Sequence, residues 1–304
     1  MKLLDVLTSP WAIIPDKLLE IQALYFTHLR GDKIDIKGIE TYTGKPPTNN
    51  KEKAYQVENG VAIIPIEGVI AKKMNLFTRI SGGTSTQFIQ RDFKQAMADP
   101  DVSAILLDVD SPGGTVDGTE ELAAAIYSAR MEDTKPIIAY TDGLMASAAY
   151  WIGSATDGIY ISGDTPWVGS IGVVTAHVDY SKYEEKIGIK TTEIYAGKYK
   201  RIDSEYAPLS KEGAQYIQDQ VDYIYSIFSN TVSRNRELSI ENLAKWADGR
   251  IFIGRQAIEA GLVDGVSTRD RLIQDLATKG KDMVLRASIA LKIERRIRQY
   301  GLNT

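Results

Sequence analysis

The chain has 304 residues, 43% apolar and 25% charged, which is ordinary for a globular protein and too long for one small domain. Its 36 Lys and Arg against 40 Asp and Glu leave a net charge of −4, so nothing in the balance favours coating nucleic acid or an anionic membrane. Cysteine is absent and the only histidines are His28 and His177, which excludes a thiolate nucleophile, a disulfide framework and a cysteine zinc site, and leaves any hydrolase short of a histidine base.

In chain order, residues 1–55 read as an accessory arm with its linker. The apolar run at the start is broken at Asp5, Pro10 and Pro15, so neither a secretory signal nor a membrane span is expected, and a soluble, cytoplasmic protein is. Pro15 to Arg30 has a helical rhythm of Leu and Ile, and Thr43 to Lys53 is polar and Pro-rich like a linker. Strands are predicted at 61–66 (VAIIPI), 103–109 (SAILLDV), 136–140, 158–162 and 171–174, and helices at 86–98, 119–130 and 147–155. This alternation predicts an α/β protein with a largely parallel sheet. A long helix follows at 210–230, capped by Ser210 and with Glu212 in its first turn. A strand and a short helix are predicted across 251–261. From about residue 269 a helical tail begins, and between Lys279 and Arg298 seven basic residues face two acidic ones. A solvated helix face explains that surplus; so does a contact arm for an acidic partner or nucleic acid.

Three segments could carry chemistry. Asp110-Ser111-Pro112-Gly113-Gly114 follows a strand, where open α/β sheets build their sites, and its glycines could present bare backbone N–H groups to a ligand. A tight turn would need the same residues, and the spacing of a phosphate loop is absent. In Gly143–Tyr150 small residues surround Ser147, which would let an acyl carbon approach its oxygen. An ordinary helix N-cap would also place a serine there, and the GxSxG elbow is missing. In Ala196-Gly197-Lys198-Tyr199-Lys200 a lysine could act as a base once burial favours its neutral form. After the strand-like Glu193-Ile194, the two lysines would share one strand face, and periodicity does not choose between them.

Together these segments resemble the Ser-Lys peptidases of the signal peptide peptidase A and phage protein C family, which share the fold of the Clp proteolytic subunit and the crotonases. The matching pieces are VAIIPIEGVI at 61–70, LLDVDSPGGTV at 106–116, GLMASAAYWIGSATD at 143–157, VGSIGVV at 168–174, AGKYK at 196–200 and DGRIFIGRQAIEAGLVD at 248–264. The resemblance implies parallel sheets built from ββα units. It implies a peptidase domain at 56–268, between an N-terminal helical arm (1–55) and a basic helical C-terminal tail (269–304). It makes Ser147 the nucleophile, Lys200 rather than Lys198 the base, Gly113, Gly114 and Ala148 the oxyanion hole, and Ser170 the hydroxyl that orients the lysine. Ala148-Ala149 stands where the membrane branch has two glycines, and Arg201 where an acidic residue often follows the base. Both the alanines and PWAIIPDKLLEI at 10–21 look more like the phage branch.

The expectation is therefore a serine endopeptidase without metal or cofactor, of the phage or prophage type that cleaves scaffold or capsid proteins during head maturation. It would work as a homo-oligomer in the host cytoplasm or the prohead. The alternatives are a cytoplasmic signal-peptide or oligopeptide peptidase of the same family, a catalytically silent minor capsid component, and a crotonase-type acyl-CoA enzyme, which would need carboxylates in place of Ser147 and Lys200.

Overall fold

The computed structural model describes residues 9–29, 55–73, 83–132 and 134–278. Strand, short strand, helix is its repeating unit. β3 (Val61–Glu67) leads to β4 (Ile70–Ala71), β5 (Thr84–Ser85) and the helix Thr86–Ala98. β6 (Ala104–Asp110) leads to β7 (Gly113–Thr115) and the helix Thr119–Glu132. β8 (Ile137–Thr141) leads to β9 (Leu144–Ala146) and the helix Ala148–Ser154. The long strands are near-continuous apolar runs because helices cover both sheet faces. Ile105, Leu106 and Leu107 have no exposed surface at all.

With β2 (Gln56–Glu58), β10 (Gly158–Ile161) and β13 (Gly265–Val266), the long strands form a six-stranded sheet of order β13-β10-β8-β6-β3-β2, parallel except at β2. The short strands leave this sheet. β7 joins β1 (Trp11–Ile13), β4 and β5 in a second sheet of order β1-β7-β4-β5. β9 joins β11 (Trp167–Gly169) and β12 (Ile251–Ile253) in a third, of order β12-β11-β9. Each diversion begins at the carboxyl end of a long strand and carries the residues just beyond it to the same side of the molecule.

Two segments that composition sets apart from the core pack on it. β1 pairs into the second sheet. The helix that begins at 269 lays Leu272, Ile273 and Leu276 over Val61, Ile63, Ala104 and Leu106. Arg269 at its start bonds Asp108 at 2.9 Å. The basic segment 279–298 lies outside the described residues.

The long helix spans Lys211–Arg236, and Ser210 caps it as expected, accepting from the Gly213 N–H at 3.0 Å. Phe228 on this helix stacks on Trp151 of the helix Ala148–Ser154, with centroids 4.3 Å apart and planes 6° from parallel. Both rings are fully buried. Phe228→Ala should therefore lower stability by about 3–5 kcal/mol in chemical denaturation, the cost of an unfilled aromatic cavity. Near its end, Arg236 forms a bidentate pair with Asp264 at 2.7 and 2.9 Å, each residue almost wholly buried.

Two predicted strands are corrected. Residues 171–174 are not a strand: the strand is 167–169, and only Val174 keeps a bridge, to Trp11. Gly169 and Ser170 take positive φ and turn the chain out of the ladder. Nor is there a strand at Glu193-Ile194, and Lys198–Arg201 forms a single 3₁₀ turn, so the shared-strand-face argument for the two lysines does not apply. Among the described residues no helix is long and apolar enough to cross a membrane.

Candidate active site

Ser147 stands between β9 and the helix Ala148–Ser154, at φ 56° and ψ −117°. A residue with a Cβ reaches that conformation only under strain, which surrounding structure must hold in place. The hold is visible. The Ser147 N–H donates to the Gly169 carbonyl at 2.7 Å, and its own carbonyl accepts from the Trp151 N–H at 2.8 Å. The N-cap explanation fails on geometry. Ser85, Ser210 and Ser239 cap their helices from extended backbone, each accepting from an N–H three residues on. Ser147 makes no such bond, and its buried Oγ has no hydrogen-bond partner. A strained serine at a sharp strand-to-helix turn is the structural context of a nucleophile elbow, reached here without the GxSxG sequence.

Gly113, at φ +99°, lies directly against it. A Cβ there would stand 2.9 Å from the Ser147 Cβ and 2.3 Å from the Ala12 carbonyl oxygen. At Gly114 a Cβ would be 1.8 Å from the Ile70 carbonyl oxygen. Both positions admit only glycine, the first for its φ and both for the close backbone approach. The Gly113 N–H donates to Ser111 Oγ at 3.2 Å. Ala148 opens a helix, where an N–H has no carbonyl four residues back to bond. Ser170 is buried at φ 52° and follows Gly169, whose carbonyl fixes Ser147; its N–H donates to the Arg250 carbonyl at 2.8 Å.

The lysines differ from each other. Lys198 is paired to Glu212 at 2.5 Å, and that hydrogen bond and charge raise its pKa above the usual lysine value, which keeps it an ammonium. Lys200, two residues on in the same 3₁₀ turn, is exposed to solvent. Neither is bonded to Ser147. Ser147, Ala148, Gly113, Gly114 and Ser170 are thus gathered in one place, and Lys200 stands on the surface of the single chain. The sequence reading missed a further segment at this site, β1, whose backbone lies on Gly113–Thr115; a three-residue strand within the four residues between Pro10 and Pro15 carries no strand periodicity.

The model of peptidase family S49 matches residues 129–283, just over half of the chain. The chain is 34% identical over 212 residues to capsid assembly protease C of Escherichia phage lambda, covering 70% of this chain and 47% of that protein. It is 32% identical over 248 residues to head-tail preconnector protein GP5 of Enterobacteria phage P21, covering 81% and 49%. It is 30% identical over 215 residues to protease 4 of Haemophilus influenzae, covering 70% and 34%. The chain spans about half the length of the phage relatives it matches, or less of protease 4. Six ordered motifs, the ββα architecture and the family match agree, and the chain belongs to peptidase family S49.

Proposed function

We propose that this protein is a serine endopeptidase with a Ser147-Lys200 dyad, of the type that cleaves scaffold or capsid proteins during phage head maturation. The observation that carries the reading is Ser147: strained, buried, capping nothing, and set against Gly113. In the proposed reaction Ser147 Oγ attacks the peptide carbonyl while neutral Lys200 Nζ takes its proton. Backbone N–H groups of Gly113, Gly114 and Ala148 receive the oxyanion. The lysine returns the proton to the leaving amine; neutral again, Lys200 then takes a proton from the water that attacks the acyl-enzyme and gives it back to Ser147 Oγ as the new carboxyl product leaves. Ser170 orients the lysine. The phage assignment draws on the two phage relatives and on the PWAI segment. A fluorophosphonate probe tests the chemistry: wild type should be labelled on Ser147 and Ser147→Ala should not, whereas labelling that survives Ser147→Ala would remove this nucleophile.

A base must reach Ser147, and in the single chain Lys200 is on the surface. In the segment that leads to it Ile187, Ile189, Ile194 and Tyr195 are exposed, Ile194 to 97%, and so is Tyr223 on the long helix. Apolar surface of that kind favours burial against a partner. The proposal therefore includes a homo-oligomer in which this surface is covered and Lys200 of one copy approaches Ser147 of the next. Mixing inactive Ser147→Ala with inactive Lys200→Ala should restore hydrolysis well above either alone. A monomer by light scattering with full activity would refute the shared site.

A further inference from the structure

Proteins that bind extended peptides commonly add them as a strand to an exposed sheet edge, so a protease of this kind needs such an edge beside its nucleophile. Here that edge is β7, which holds Gly113 and Gly114, and it is already taken. Trp11, Ala12 and Ile13 pair antiparallel with Thr115, Gly114 and Gly113. On this same side the Ile14 N–H donates to the Pro112 carbonyl at 3.1 Å, and on the other side Trp11 exchanges both backbone hydrogen bonds with Val174, each at 2.8 Å. Because Trp11 faces Val174, the alternation of an antiparallel ladder turns the N–H and C=O of Ala12 onto Gly114. The Gly114 N–H, assigned to the oxyanion, thus meets the Ala12 carbonyl, while the Gly113 N–H is held by Ser111.

The side chains of β1 are as well seated as its backbone. Ala12 turns its methyl into the main core, and Trp11 and Ile13 turn the other way, against Leu18, Ile21 and Val69. All three strand residues are buried. A short strand bonded on both edges therefore fills the cleft between the paired glycines and the end of the GSIGVV segment, next to a nucleophile with no exposed surface.

We propose that Trp11–Ile13 is an internal occupant of the substrate track. It holds the peptide-binding edge closed, and hydrolysis requires it to withdraw. The peptide that replaces it is extended, with a small residue opposite Gly114 and large apolar neighbours on either side. This rests on the peptidase reading of Ser147. A strand that is only architectural would occupy the same place, so the test asks whether it must move.

Trp11 and Thr115 are directly opposite, in the non-hydrogen-bonded position where Cβ atoms are closest, and the chain has no cysteine of its own. The full chain carrying Trp11→Cys with Thr115→Cys can therefore be locked by oxidation and freed by reductant. The locked form should hydrolyse an extended fluorogenic peptide at least ~10-fold more slowly than the same protein reduced. Equal rates in the two forms would overturn the proposal. Ala12→Asp in the full chain places a carboxylate in the core and should expel the strand, raising hydrolysis. A folded Ala12→Asp protein that is no faster than wild type also overturns it, and if that variant does not fold, the lock decides alone. Fluorophosphonate labelling separates the two failures. Ser147 labelled with equal peptide rates sinks only the strand proposal, whereas no labelling in either form sinks the peptidase reading and this inference with it.

Discussion

Ser147→Ala and Lys200→Ala are each expected to lower kcat/KM for peptide hydrolysis by about 10⁴-fold or more, and the double variant to lose little beyond either. In the proposed dyad the two groups act as a unit: without the base the hydroxyl stays protonated, and without the hydroxyl the base has nothing to activate. Lys198→Ala is the control, because Lys198 is held as an ammonium by Glu212 and should be dispensable to the chemistry. It should keep substantial activity. An inactive Lys198→Ala beside an active Lys200→Ala would reverse the assignment of the base.

Asp264→Ala is expected to cost about 3–5 kcal/mol in denaturant unfolding, since it leaves a buried guanidinium without its counter-charge. Burial works against the charge on Arg236, but the paired Asp264 carboxylate outweighs that and raises the arginine's pKa above its usual value. Asp264 also accepts from the Ile159 N–H at 2.7 Å, so its loss releases the end of the long helix and the start of β10 together. Replacing both partners with apolar residues of similar volume should cost far less, because no uncompensated charge remains. If Asp264→Ala unfolds at the same denaturant concentration as wild type, this pair does not tie the helix to the sheet.

The elements that declared themselves in the sequence are those whose pattern is local. VAIIPI and AILLDV are buried on both faces, so they are apolar at nearly every position. Ser210 caps its helix through a bond three residues away. The short strands of the second sheet were illegible because their partners lie elsewhere in the chain. Gly113–Thr115 reads as a turn, with two residues that have no side chain to alternate, and becomes a strand by pairing with Trp11–Ile13 and Ile70. The site was legible as composition: small residues round Ser147 and two adjacent glycines mark places where backbones come close. Its distinguishing feature, the positive φ at Ser147, was not legible, since the constraint comes from the Gly169 carbonyl on another strand.

That backbone angle sets a preference against the residue that occupies it. Glycine would adopt the same turn without the steric penalty, so Ser147→Gly should yield a protein somewhat more stable than the parent and unable to react. Selection for robustness alone would then erode the proposed nucleophile. In lineages where proteolysis has become dispensable, this position is where drift toward glycine is expected first, and a glycine between β9 and the following helix would mark a descendant that has kept the scaffold and given up the chemistry.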